Sequence, residues 1–190
     1  MYIFNTLKKI TYYTYQDIKT SRFFGVLCQG LFNLLPDFLG LAFLRPYALL
    51  FSGTEFTDVS TCVIRKDVFI ELPSHVKIGK NFQINRGSYI ESNGKVIIGD
   101  FVRIAMYCKI LSMSHTGSKH EIDELKTTII KNNVELYAGV IVLPGTVIED
   151  YVIINSGSVI GGNTKAKGIY GGNPARLIAY RTDIDEIVIP

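Results

Sequence analysis

The chain has 190 residues, enough for one good core and a small appendage. A hydrophobic content of 47% excludes global disorder, and a net charge of +3, carried by scattered lysines and arginines, argues against a dedicated nucleic-acid binder. The three cysteines, Cys28, Cys62 and Cys108, are odd in number and lack metal-ligand spacing, and three histidines are too few for a histidine-rich metal centre. Reduced, buried thiols in a cytoplasmic protein and no bound metal are the expectation. No secretory leader pattern is visible, and no apolar run reaches the roughly 18 residues that span a bilayer.

Residues 1–51 show no repeat. Lys8, Lys9, Asp17, Lys19 and Arg22 punctuate the first half. Residues 23–35 carry no charge; Pro36 and Asp37 interrupt, and an apolar run resumes until Arg45-Pro46. This predicts helix, break and short helix. Two uses compete for residues 23–44. They either pack on the rest of the protein or lie at a membrane interface as a peripheral contact.

From about Cys62 a period of six takes over. Ile130, Leu136, Val142, Ile148, Ile154 and Ile160 recur at that step. Two places before them sit Thr128, Val134, Val140, Thr146, Val152 and Ser158, all small or β-branched. Ile78, Ile84 and Ile90 form one upstream series and Ile98, Ile104 and Ile110 another, displaced by an insertion at Asn93-Gly94; Ile64 and Ile70 extend the rhythm back. A helix needs a period near 3.6 and a lone strand a period of 2. Sixes signal a mainly β solenoid in which short parallel strands stack coil on coil, about 18 residues per coil and roughly five coils. Cys62 and Cys108 occupy the small-residue register, which puts both inside.

If the chain keeps phase past Ile110, the outward residues sort onto three faces. Val63, Gln83, Arg103, Glu135 and Ile153 make a mixed to polar face. Phe69, Tyr89, Lys109, Ile141 and Val159 make a second, and Lys77, Ile97, Ile129 and Val147 a third. The last two are largely apolar and need a cover, either the N-terminal helices or another subunit. The expected divisions are an N-terminal helical segment, 1–55, a repeat region, 56–178, and a tail, 179–190. The polar loop within the repeats, 112–127, contains His115 and His120 beside Glu121, Asp123 and Glu124. A polar loop budding from a regular solenoid is a common seat of function.

Several motifs now combine: the sixfold repeat, Ser114-His115 in the loop, Asn132-Asn133-Val134 leading to Val142-Leu143-Pro144-Gly145, Gly157-Ser158-Val159-Ile160, and a closing Gly172-Asn173-Pro174-Ala175-Arg176. In these the chain resembles the hexapeptide-repeat acyltransferases, especially sugar and exopolysaccharide O-acetyltransferases. The resemblance implies a left-handed parallel β-helix, a homotrimer with sites between subunits, and acetyl-CoA along a groove. The general rule for parallel crossovers favours the right hand, so the left hand rests on the resemblance alone.

The same resemblance implies His115 as general base. An imidazole can take the proton of a sugar hydroxyl as it attacks a thioester. It implies Asn85 as an acceptor-binding residue, against a bare turn-forming role. For the cofactor it implies backbone contacts at Ala138-Gly139 and Asn155-Ser156 and basic contacts from Arg176, Lys165 and Lys167. The residues 161–167 depart from the family's usual run, so the two lysines compete with a reading as solvated charges. His75 and His120 read as structural and solvated respectively. The acceptor is expected to be a glycan (capsule, exopolysaccharide or O-antigen) or its precursor. The alternatives are N-acetylation of an amino-sugar nucleotide and a non-catalytic scaffold. A zinc carbonic anhydrase on such a solenoid needs three histidine ligands, which the spacing of His75, His115 and His120 does not support.

Overall fold

A computed structural model describes residues 2–19, 22–115 and 123–182. Among the described residues four helices lead: α1 (Tyr2–Lys19), α2 (Arg22–Asn33), α3 (Leu39–Ala42) and α4 (Arg45–Phe51). Short strands follow, most of them two residues long, and they stack into three parallel sheets around a common interior.

The three faces run as the sixes require. In the first sheet Lys77 pairs with Ile97, Ile97 with Ile129 and Ile129 with Val147. In the second, Val63, Gln83, Arg103, Glu135 and Ile153 follow one another. In the third, the order is Phe69, Tyr89, Lys109, Ile141 and Val159. The phase therefore survives the loop after Ile110. The reason is local: Met113–His115 pairs antiparallel with Asp123–Leu125, and the Lys126 N–H donates to the Ser112 carbonyl at 2.7 Å. The insertion leaves and re-enters at one corner without displacing the next coil.

Inside, the aliphatics of each strand form columns, and Ile70, Ile90, Ile110, Val142 and Ile148 are fully buried. Each such side chain contributes about 1.5–3 kcal/mol by leaving water. The smaller residue two places earlier fills the corner. Where it carries a hydroxyl, that hydroxyl is satisfied: Thr128 Oγ1 donates to the Leu111 carbonyl at 2.7 Å and Thr146 Oγ1 to Leu143 at 2.6 Å. Cys62 and Cys108 sit there as free buried thiols, and burial pushes both thiols up from their ordinary pKa.

A solenoid has two open ends, and an exposed strand edge must be covered. At the first coil α2 supplies the cover. Gln29, 5% exposed, accepts the Ile70 N–H at 2.7 Å and donates to the Ile70 carbonyl at 2.9 Å. Its amide takes the place of the missing strand. Asn33 Oδ1 accepts the Asp67 N–H, and Ala48 and Leu49 of α4 are buried over Ile64 and Val68. Asp37 binds the break to the coil through Arg45, Arg86 and the Lys66 N–H. Of the two uses expected for residues 23–44, packing on the solenoid accounts for the inner faces; the outer faces stay exposed. At the far end, Gly168–Gly172 joins the second sheet and Ala175–Tyr180 folds back against it antiparallel.

Candidate functional site

Three corners run along the solenoid, and the expected site residues divide among them. The corner between the second and third sheets holds most of them. The strand residues Ile84, Ile104, Leu136, Ile154 and Tyr170 are in register. The next residues, Asn85, Ala105, Tyr137 and Asn155, each donate a backbone N–H to the following coil at 2.8–2.9 Å. Asn85, Ala138-Gly139 and Asn155-Ser156 thus stack in one column along a single edge.

The surface of this column suits a slender ligand. Its third turn residues, Gly87, Tyr107, Gly139 and Gly157, have φ between 60 and 72°, the left-handed region that glycine enters at no steric cost. A Cβ at Gly157 would meet nothing within 4 Å, so the edge is shallow and open there. The Gly139 N–H is taken by the Met106 carbonyl and the Gly157 N–H by Ala138, both at 2.9 Å. Among the described residues the Ala138 N–H has no acceptor, which leaves it for a ligand oxygen. Asn85 is exposed, and its Nδ2 makes one long contact, 3.5 Å, to the Ile104 carbonyl. With Phe43, Val63, Arg65 and Gln83 it lines a hollow of about 260 Å³. Arg176 pairs with Gly171, one residue past Tyr170, and lies exposed at the end of the same edge.

Lys165 and Lys167 lie elsewhere, at the corner between the first and second sheets. The Lys167 N–H donates to the Asp150 carbonyl at 2.9 Å and the Lys165 N–H to the Tyr170 hydroxyl at 2.7 Å, two bonds that fix the backbone of both residues at that corner. Within one subunit the second sheet separates them from Ala138.

The strand Met113–His115 rises from the remaining corner, between the third and first sheets. The His115 backbone pairs with Asp123; its side chain, and residues 116–122 with His120 and Glu121, lie outside the described residues. The root of this hairpin is built with care. Glu91, 7% exposed, accepts the Ser112 N–H at 2.8 Å through Oε2. Its Oε1 accepts the Asn93 N–H at 2.7 Å and Asn93 Nδ2 at 2.6 Å. Asn93 Oδ1 accepts Arg22 Nη2 of α2 at 2.9 Å, and that guanidinium also meets Glu71 at 2.6 Å. Tyr89 donates to the other Glu71 oxygen at 2.7 Å, and burial followed by the Glu71 carboxylate raises its phenol pKa. His75, with its proton on Nδ1, donates to the carbonyls of residues 92–94. Gly94 forms the floor: a Cβ there would collide with the Ser112 and Lys126 carbonyls.

Sequence reasoning found the insertion at Asn93-Gly94 but not its purpose. Glu91 and Arg22 carry no periodic signal, because their partners lie 21 and 71 residues away.

Residues 127–162 match the family model described as bacterial transferase hexapeptide (six repeats). The chain is 30% identical to galactoside O-acetyltransferase of Escherichia coli (strain K12) over 130 residues, 65% of this chain and 63% of that protein. It therefore spans less than two thirds of that relative's length. Among solved structures it is similar to a maltose O-acetyltransferase from Clostridium difficile 630, with 25% identity and a TM-score of 0.75, covering 84% of this chain and 86% of that one. A galactoside acetyltransferase in complex with coenzyme A shares the fold, with a TM-score of 0.70 at 23% identity over 86% and 82% of the two chains.

Proposed function

We propose, for a chain that belongs to the hexapeptide-repeat acyltransferase family, acetyl-CoA-dependent O-acetylation of a sugar hydroxyl. The acceptor is a polysaccharide (capsule, exopolysaccharide or O-antigen) or its precursor. The observation that carries the reading is the single column formed by Asn85, Ala138-Gly139 and Asn155-Ser156.

In this reading pantetheine lies along that open edge and Arg176 meets a phosphate at its end. Asn85 donates to and accepts from acceptor hydroxyls. His115 takes the hydroxyl proton as the oxygen attacks the thioester carbonyl. The Ala138 N–H faces the oxyanion of the tetrahedral intermediate. The intermediate then expels the coenzyme A sulfur, which leaves as the thiol with that proton, and the acetyl group stays on the sugar.

A homotrimer fits this arrangement. The hairpin bearing His115 and the column bearing Ala138 stand on opposite borders of the third sheet, so a site joining them draws on two subunits. The half-buried outward residues Ile97, Ile129, Ile141 and Val159 supply apolar surface for that packing. Three free thiols fit a reducing, cytoplasmic setting.

The test is to incubate the protein with labelled acetyl-CoA and a panel of oligosaccharides, nucleotide sugars and lipid-linked glycans. Transfer to a hydroxyl is expected, and His115→Ala should lower it by about 10²–10⁴-fold while coenzyme A still binds. Failure of coenzyme A to bind the unaltered protein would end the proposal. Full activity in His115→Ala would return the role of base to another group.

A further inference from the structure

Helix α2 buries one face and leaves the other uncovered, α1 is exposed along most of its described length, and the uncovered surfaces share a chemistry. On α2 the inward positions are Gly25 and Gln29. Turning the helix by 3.6 residues per turn brings Phe23, Val26, Leu27 and Leu31 to the outside, with Phe24 beside them. All are 43–57% exposed. No charged residue occurs anywhere in α2 after Arg22.

Helix α1 has the same character by another pattern. Leu7, Ile10, Thr11, Tyr15 and Ile18 fall on one stripe at helical spacing, and its four bulky members are 55–61% exposed. Lys8 follows on the flank of that stripe, and Lys9 lies behind. The acidic residue of α1, Asp17, lies 3.9 Å from Arg22, so its charge is offset inside the protein. Tyr12 and Tyr13 add rings that are amphipathic and outward. The hollow where the two helices meet, lined by Asp17, Arg22, Phe23, Val26 and Leu27, makes their exposed surfaces adjoin.

We infer that this cap docks on an anionic lipid surface, with α1 and the outer face of α2 lying in the headgroup region. Three points select a bilayer surface over other occupants. Lys8 borders the apolar stripe and Lys9 adds a second positive charge to the same exposed helix, and such charges complement anionic headgroups. Tyrosine is suited to the boundary between headgroups and acyl chains, one end apolar and the other wet. Among the described residues no helix is long and apolar enough to cross a membrane, so the contact is peripheral. A second copy of the chain has other apolar surface to use, the outer faces of the first and third sheets. The inner face of α2 stays fixed by Gln29 and Arg22, so docking leaves the solenoid undisturbed. The inference stands apart from the transferase reading and survives if that reading fails.

Flotation of the full chain with vesicles tests it. One set is phosphatidylcholine alone and the other phosphatidylcholine mixed with phosphatidylglycerol. The chain should float with the mixed vesicles about tenfold better than with the neutral ones, and rising salt should narrow the gap. Phe23→Ser, Leu27→Ser and Leu31→Ser together should abolish flotation without lowering the thermal midpoint. Lys8→Glu with Lys9→Glu should remove the preference for the anionic vesicles. No flotation of the unaltered chain overturns the inference. So does undiminished flotation of the triple variant, and so does a triple variant that sediments as a smaller assembly, which would assign the face to a second copy.

Discussion

The buried carboxylate of Glu91 accepts the backbone N–H of Ser112 at 2.8 Å, three residues before His115. Ser112 also donates its hydroxyl to the Glu91 carbonyl at 2.9 Å and accepts the Gly94 N–H at 3.0 Å. One residue of the solenoid thus sets the root from which the hairpin departs. For the proposed role of His115 as base, positioning at this level matters, since misplacing a reacting group by about 1 Å can cost about 10²-fold in rate.

Glu91→Ala should therefore act on both stability and turnover. It strips the acceptor from the buried Ser112 N–H, at about 1–3 kcal/mol for a buried group left unpaired, and from the half-buried Asn93 groups, which cost less. In acetyl transfer we expect kcat to fall by up to about 10²-fold with the KM for acetyl-CoA little changed. Glu91→Gln, which keeps one acceptor oxygen, should recover part of kcat. Denaturant titration beside steady-state kinetics separates the effects; a variant that loses stability alone would make Glu91 a purely structural residue.

Arg176 stands exposed at the end of the Asn85–Ala138–Asn155 edge, and its Nη1 touches the carbonyl of Ala175 at 3.0 Å. With a phosphate as its partner, Arg176→Ala should raise the KM for acetyl-CoA by about tenfold and leave kcat near that of the unaltered protein. Coenzyme A titration by calorimetry gives the same answer without an acceptor.

Gln29 replaces a strand with a side chain. Gln29→Leu leaves the Ile70 N–H and carbonyl without partners in a buried position. A loss of about 1–3 kcal/mol per group is expected, and it should open the first coil before the rest. Hydrogen exchange at Ile70 would speed up while exchange at Ile148 and Ile154 stays slow.

Asp37 predicts a pH dependence. Burial works to raise its carboxyl pKa, but the Lys66 N–H, the Arg86 hydrogen bond and the charges of Arg65 and Arg86 outweigh it, and the net shift is downward. A carboxylate held lower in the folded state than in the unfolded one stabilises the fold fully above its unfolded pKa. That contribution is lost as pH falls through the folded value. The stability gap between the unaltered protein and Asp37→Asn should hold from neutral pH down to about 4 and close below it. Urea titrations at stepped pH would show this, and a gap that is constant into acid would assign the effect to packing.

Much of the candidate site could be read from residues near one another in the chain. Asn85, Ala138 and Asn155 each sit just after an inward aliphatic, so the repeat itself places them at corners. Their shared column was legible once the phase was assumed to hold past Ile110. Arg176 and the two lysines show the limit. All three follow the last hexapeptide and look alike as exposed cations, yet Arg176 ends on one corner and Lys165 and Lys167 on another. The difference depends on how residues 161–168 cross from the first sheet to the second, a path that no period describes.

The sequence by itself determined the solenoid, its inward columns and the composition of its three faces. Strand alternation is local, and a six-residue step repeats the same local choice in every coil. The tertiary structure decided what joins the parts. Gln29 meets Ile70, and Arg22 reaches Asn93 and so Glu91, only because the helices fold over the first coil. Those hydrogen bonds depend on distance in space between residues far apart in the chain, and such distances appear only when the coils stack.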